Sequence, residues 1–134
     1  MEQNYIYEQF LNNLIKKAIS ILSEPFDAIG IECIVTKDLC FFEWFYKIGK
    51  STYDSDDLKQ SYVLCSEFRN DGCISLQMMQ EELRKIDARV PNAIRILYDR
   101  HNNAWKMKLG DFYISGDVAF NRFQEWKRSF DETI

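Results

Sequence analysis

Leu39-Cys40-Phe41-Phe42-Glu43-Trp44-Phe45-Tyr46-Lys47-Ile48 is the stretch that decides the fold. It sets seven aromatic or large aliphatic residues around a single acid, Glu43. Strand alternation puts Cys40, Phe42, Trp44, Tyr46 and Ile48 on one face. It puts Leu39, Phe41, Glu43, Phe45 and Lys47 on the other. Both faces are apolar enough to be buried, which predicts a central strand of a sheet.

Upstream, residues 27–36 alternate in the same way. Ile29, Ile31, Cys33 and Val35 share one face, and Ala28, Gly30, Glu32, Ile34 and Thr36 share the other. Lys37-Asp38 between the two runs predicts a tight hairpin turn. Residues 3–23 predict a helix, because Tyr7, Leu11, Leu14, Ala18 and Ile21 recur at helical spacing. Glu24-Pro25 ends it, since the residue before proline avoids the helical region.

Downstream, Ser51–Asp57 is polar and acidic and reads as a loop. Tyr62-Val63-Leu64-Cys65 reads as a short third strand, and Asn70-Asp71-Gly72 as a turn. A second helix is expected over 75–89, with Ser75 as its N-cap and Leu76, Met79, Leu83, Ile86 and Val90 as its stripe. A second hairpin follows, Ala93–Asp99 and Ala104–Leu109, joined by Arg100-His101-Asn102-Asn103. Lys106 and Lys108 alternate with Trp105, Met107 and Leu109, which predicts a strand with one wet face. Phe112, Tyr113 and Ile114 lead to a last helix from about Asp117, striped by Ala119, Phe123, Trp126 and Phe130. The order predicts one α+β domain over residues 1–134. Its antiparallel sheet should hold four to five strands, with about three helices packed mainly on one face.

The 134 residues are 46% hydrophobic, 28% charged and 15% aromatic, the composition of a globular chain whose core needs no disulfide or metal. Cys33, Cys40, Cys65 and Cys73 form no C-x-x-C pair, and His101 is the sole histidine. No metal site or other cofactor is expected from that spacing. The N-terminus lacks a basic region followed by an apolar block, and no apolar run approaches the ~18 residues of a membrane span. A cytoplasmic protein with reduced thiols is the expectation. The net charge of −4 is concentrated between Ser51 and Gly72, where Asp54, Asp56, Asp57, Glu67 and Asp71 face only Lys59 and Arg69. That distribution argues against direct nucleic-acid binding and allows a basic protein partner.

No reaction is spelled out. His101 lies in a predicted turn, where a solvated role is the simpler reading. Nucleophile-elbow, P-loop and dinucleotide-binding patterns are absent. Asp54-x-Asp56-Asp57 resembles the start of a calcium loop, but Lys59 stands where the loop needs Gly and Cys65 where it needs Glu. Glu43 is the odd acid. It faces solvent, or pairs with Arg95, Lys106 or Lys108 on the second hairpin, or belongs to a functional acidic patch.

The chain resembles the YezG-like family of bacterial antitoxin or immunity proteins. The resemblance rests on the long first helix and on Phe42-Glu43-Trp44-Phe45-Tyr46. It extends through Ile96-Leu97-Tyr98-Asp99 and Trp105-Lys106-Met107-Lys108-Leu109-Gly110-Asp111 to a last helix carrying Arg122 and Trp126-Lys127. It implies a non-enzymatic protein that binds and neutralises a cognate toxin domain, often a nuclease, deployed between competing bacteria. Acids flanking exposed aromatics would then form the interface, with Glu43, Tyr53, Asp54, Asp56, Asp57 and Glu67 as candidates. The alternative is a small cytosolic adaptor or regulatory module. An unusual enzyme would need a pocket gathering Glu43, Tyr46 and Arg95.

Overall fold

The computed structural model describes residues 2–22, 24–111 and 113–131. Ser23 and Phe112, which entered the expected first helix and the expected last crossing, lie outside them. The elements run α1 Glu2–Ser20, β1 Ala28–Val35, β2 Cys40–Ile48, β3 Ser51–Asp54, α2 Tyr62–Lys85, β4 Ala93–Asp99, β5 Ala104–Gly110 and α3 Gly116–Arg128. The five strands form one sheet in the order β3-β2-β1-β4-β5, with every neighbouring pair antiparallel. The fold is α+β, as the order of patterns implied.

β1 and β2 pair in register from Ala28↔Lys47 to Val35↔Cys40. The turn between them is fixed by Thr36, whose N–H donates to the Leu39 carbonyl at 2.8 Å and whose hydroxyl accepts from the Leu39 N–H at 3.0 Å. β1, not β2, is the middle strand. β2 is nonetheless buried on both sides, with Phe42, Trp44, Phe45 and Tyr46 at 3% exposure or less. Phe42 and Trp44 meet Phe68 of α2 with ring centroids 4.9 and 4.7 Å apart, whereas Phe41 and Phe45 meet Phe123 of α3. Successive strand residues point to opposite faces. Hence α1 and α2 cover one face, and α3 covers the other.

Three expectations in the middle of the chain are corrected. Ser51–Asp54 is a strand, turned back onto β2 through Gly49 at φ 64°. Tyr62–Cys65 is the first turn of α2, capped by Ser61, whose hydroxyl accepts from the Leu64 N–H. Asn70-Asp71-Gly72 lies inside that helix. Gly72 is there for closeness: a Cβ on it would stand 2.2 Å from the Phe42 ring. Gly30 on β1 does the same on the other face, where a Cβ would stand 2.3 Å from the ring of its cross-strand partner Phe45. Each glycine yields its side-chain space to a phenylalanine.

The early start of α2 also changes the cysteines. Cys73, carried on the helix beside Gly72, reaches the first residue of β2 and is joined to Cys40 as a disulfide, Cα to Cα 6.1 Å. The expectation of four reduced thiols is corrected for this pair. Cys33 and Cys65 are free and buried. No described helix is long and apolar enough to cross a membrane.

Candidate protein-interaction surface

A row of charges runs across the α3 face of the sheet. Glu43 on β2 lies opposite Glu32 on β1, Glu32 opposite Arg95 on β4, and Arg95 opposite Lys108 on β5. Two carboxylates face to face on adjacent strands repel. The fold answers with an arginine for each. Arg95 grips Glu32 through two bonds, Nε at 3.1 Å and Nη2 at 2.9 Å, and lies over the Trp126 ring at 4.4 Å. Arg69 grips Glu43 in the same forked way, at 3.0 and 3.1 Å.

The partner of Glu43 is therefore Arg69 of α2, and not Arg95, Lys106 or Lys108. β3 covers β2 only from Phe45 to Ile48, so the strand edge beside Glu43 is left for Arg69 to approach. Arg69 also donates to the Ser55 hydroxyl at 3.3 Å and stacks over Trp44 at 5.1 Å. Burial raises the Glu43 carboxyl above its usual range, Arg69 pulls it back, and Asp54 and Asp56 push it further up. Glu43 is thus a joint between β2 and α2, with the acidic loop close enough to be felt.

That loop is built at the junction of β3 and α2. The Asp57 N–H donates to Asp54 Oδ1 and the Asp54 N–H to Asp57 Oδ2, both at 2.9 Å, closing a tight turn. Asp57 pairs further with Lys127 of α3 at 3.3 Å. The Asp54 N–H, chiefly, and Lys127 hold the Asp57 carboxyl below the usual range. Tyr53 sits half-buried on β3, opposite Tyr46. Asp56 and Glu67 are exposed and form no ion pair among the described residues. Of the six candidates, Glu43, Asp54 and Asp57 hold the junction together, Tyr53 is half-covered, and Asp56 and Glu67 present free charge.

Sequence reasoning missed the apolar part of this surface. Tyr62, Val63 and Leu64 are 82%, 62% and 46% exposed, on the first turn of α2 between Asp56 and Glu67. Read as a strand they belonged to the core. Read as a helix start, only Cys65 and Phe68 turn inward. The useful signal was Ser61, a good N-cap residue, one position before the run. Exposed aromatic and aliphatic side chains rimmed by unpaired carboxylates suit a basic protein with an apolar spot.

The three groups that an enzymatic pocket would have to gather are dispersed. Glu43 is on Arg69 and Arg95 is on Glu32, while the Tyr46 hydroxyl donates to the Ala18 carbonyl at 2.6 Å on the opposite face. Burial pushes the Tyr46 hydroxyl up to about 12. His101 lies at the far end of the sheet, its Nε2 2.7 Å from Asp27 Oδ1. No protein-family model matches the chain, and no curated protein matches its sequence.

Proposed function

We propose that the chain is an immunity protein that works in the cytoplasm by binding a cognate toxin domain, a basic nuclease, and covering its active site. The observation that carries this reading is the exposed Tyr62-Val63-Leu64 turn set between Asp56 and Glu67. The apolar turn supplies the anchor, which loses water on docking and sets the dissociation rate. The carboxylates steer a basic partner and set the association rate, up to about 10⁸–10⁹ M⁻¹s⁻¹ at low salt. The resemblance to YezG-like proteins points to the same role.

Co-expression with the toxic domain encoded beside it tests the proposal. Growth is restored and the two chains co-elute on gel filtration. Tyr62→Ala and Leu64→Ala each weaken the complex by about tenfold or more, mainly through faster dissociation. Asp56→Asn with Glu67→Gln slows association and flattens its salt dependence. No rescue and no complex would overturn the reading.

A second reading is favoured by a groove of about 540 Å³ between α1 and α2, lined by Tyr5, Phe10, Met78 and Met79 among others. Tyr5 and Met78 are 62% and 64% exposed on its walls. A regulatory module would seat an amphipathic helix there. Met78→Lys then abolishes partner binding while Tyr62→Ala spares it, the reverse of the immunity reading.

A further inference from the structure

The sheet has two edges, and they are finished differently. At β3 the Thr52 N–H donates to Asp131 Oδ1 at 2.7 Å, and the Thr52 hydroxyl meets the same oxygen at 2.8 Å. Asp131, the third residue beyond α3, thus occupies the outer side of that strand, which is only four residues long. β5 is seven residues long and, among the described residues, pairs with β4 alone. Among the described residues, nothing bonds to the backbone of Ala104–Gly110 from its outer side.

The side chains of β5 sort by face. Lys106 and Lys108 are exposed on the α3 side, across from Leu97 and Arg95. Trp105, Met107 and Leu109 are half-buried on the other side, packed against the main core and incompletely covered. A strand added at the usual spacing of about 4.8 Å would place alternate side chains beside the lysines and the intervening ones against the Trp105–Met107–Leu109 row.

We infer that the β5 edge docks an extended segment of a protein partner in which acidic and apolar residues alternate. Backbone pairing supplies the attachment, and the two rows of side chains supply the selection. A second copy of this chain is a poor occupant. β5 against β5 sets lysines against lysines, and β5 against β3 meets the Asp131 stopper. The surface belongs to the opposite edge of the sheet from the β3–α2 junction. It goes beyond the proposed toxin-binding role, and either interaction can fail without the other.

The probe is a fluorescein-labelled peptide of nine residues in which glutamate and valine alternate, titrated by anisotropy against the full chain. Three controls share its composition or charge: a block-ordered peptide, a peptide N-methylated at every second residue, and a single-stranded oligonucleotide of equal charge. The alternating peptide is expected to bind below about 1 mM and to weaken with salt. It should slow amide exchange along Ala104–Gly110, while the controls bind at least about tenfold more weakly. Lys106→Glu with Lys108→Glu, both at exposed positions and with the fold checked by circular dichroism, should weaken the peptide about tenfold or more and leave toxin rescue unchanged. The inference is overturned by equal binding of the N-methylated peptide or the oligonucleotide, by binding without protection of β5 amides, by indifference to the double charge reversal, or by no binding. Sedimentation showing a dimer that the peptide dissociates would overturn it in favour of a second copy.

Discussion

Replacing Arg95 with methionine should unfold a large part of this protein's stability margin, and the structure sets the size. Glu32 is 1% exposed in the middle strand, and among the described residues Arg95 supplies both of its side-chain bonds. Removing one partner of a buried ion pair costs about 3–5 kcal/mol, because the other charge stays behind without solvent. Losing the stack on Trp126 adds about 0.5–2 kcal/mol. Against this, Lys108 and Arg122 line the same small cavity of about 40 Å³, so positive charge remains near Glu32. The expected cost is about 3–4 kcal/mol, from a total that for domains of this kind is about 5–15 kcal/mol. Glu32→Gln keeps the shape and leaves Arg95, at 23% side-chain exposure, a route to water, so its cost is about 1–2 kcal/mol. In the double variant the stranded carboxylate is gone, and its cost should fall at least about 1.5 kcal/mol short of the sum. Urea unfolding followed by tryptophan fluorescence measures all four proteins. A cost below about 1 kcal/mol for Arg95→Met, or costs that add within about 0.5 kcal/mol, would refute the argument that Arg95 keeps Glu32 tolerable.

Three further outcomes follow from the same structure. Gly72→Ala, which in an open helix stabilises by about 0.5–1 kcal/mol, should instead destabilise by about 1–2 kcal/mol, because the new Cβ enters a Phe42 ring already held by Phe68 and Trp44. A rise in melting temperature would contradict that. Alkylation of the purified chain, denatured without reductant, should label Cys33 and Cys65 and spare Cys40 and Cys73, as mass spectrometry of the peptides will show. The Asp57 carboxyl is held below its ordinary 3.8, so its contribution is present above that pH and is lost as pH falls through the depressed value. Melting curves over about pH 2–6 should therefore converge at the acid end for Asp57→Asn and the parent chain, with the parent more stable at the upper end. Glu43, raised by burial, acts in the opposite sense.

The two long hairpins were legible because period-two alternation persists over seven residues or more in each of their strands. The β3–α2 region was not, for local reasons. A four-residue apolar run such as Tyr62–Cys65 fits a strand or a helix turn equally well. Here three of the four face outward, against the usual logic of burial. Asn70-Asp71-Gly72 carries turn chemistry, yet Gly72 answers to the Phe42 ring, a contact across 30 residues that no local pattern records. β3 is short and polar because it is an edge, and Thr52 is buried by the end of α3 instead of by its own apolarity. At the candidate site, the cluster of acids was visible in the charge count, but its division into structural and free carboxylates was not. In sequence Arg69 falls between a strand-like run and a turn-like triplet, and only the helix through both brings it to Glu43. Arg95 was recognised as a carboxylate's partner, but Glu32, hidden in an alternating apolar strand, was the carboxylate it serves.

The Asp131 contact on Thr52 has a consequence for how copies of this protein behave in a crowd. A sheet with two compatible open edges is a monomer of an endless ribbon: each copy offers one edge to the next, the contact never closes, and fibres grow. With one edge stoppered by a single carboxylate, any strand accepted at β5 ends the chain of additions where it began. The protein can keep one edge available without becoming a building block. Asp131→Ala would remove that terminator, and turbidity or fibre formation on storage would be the first sign of it.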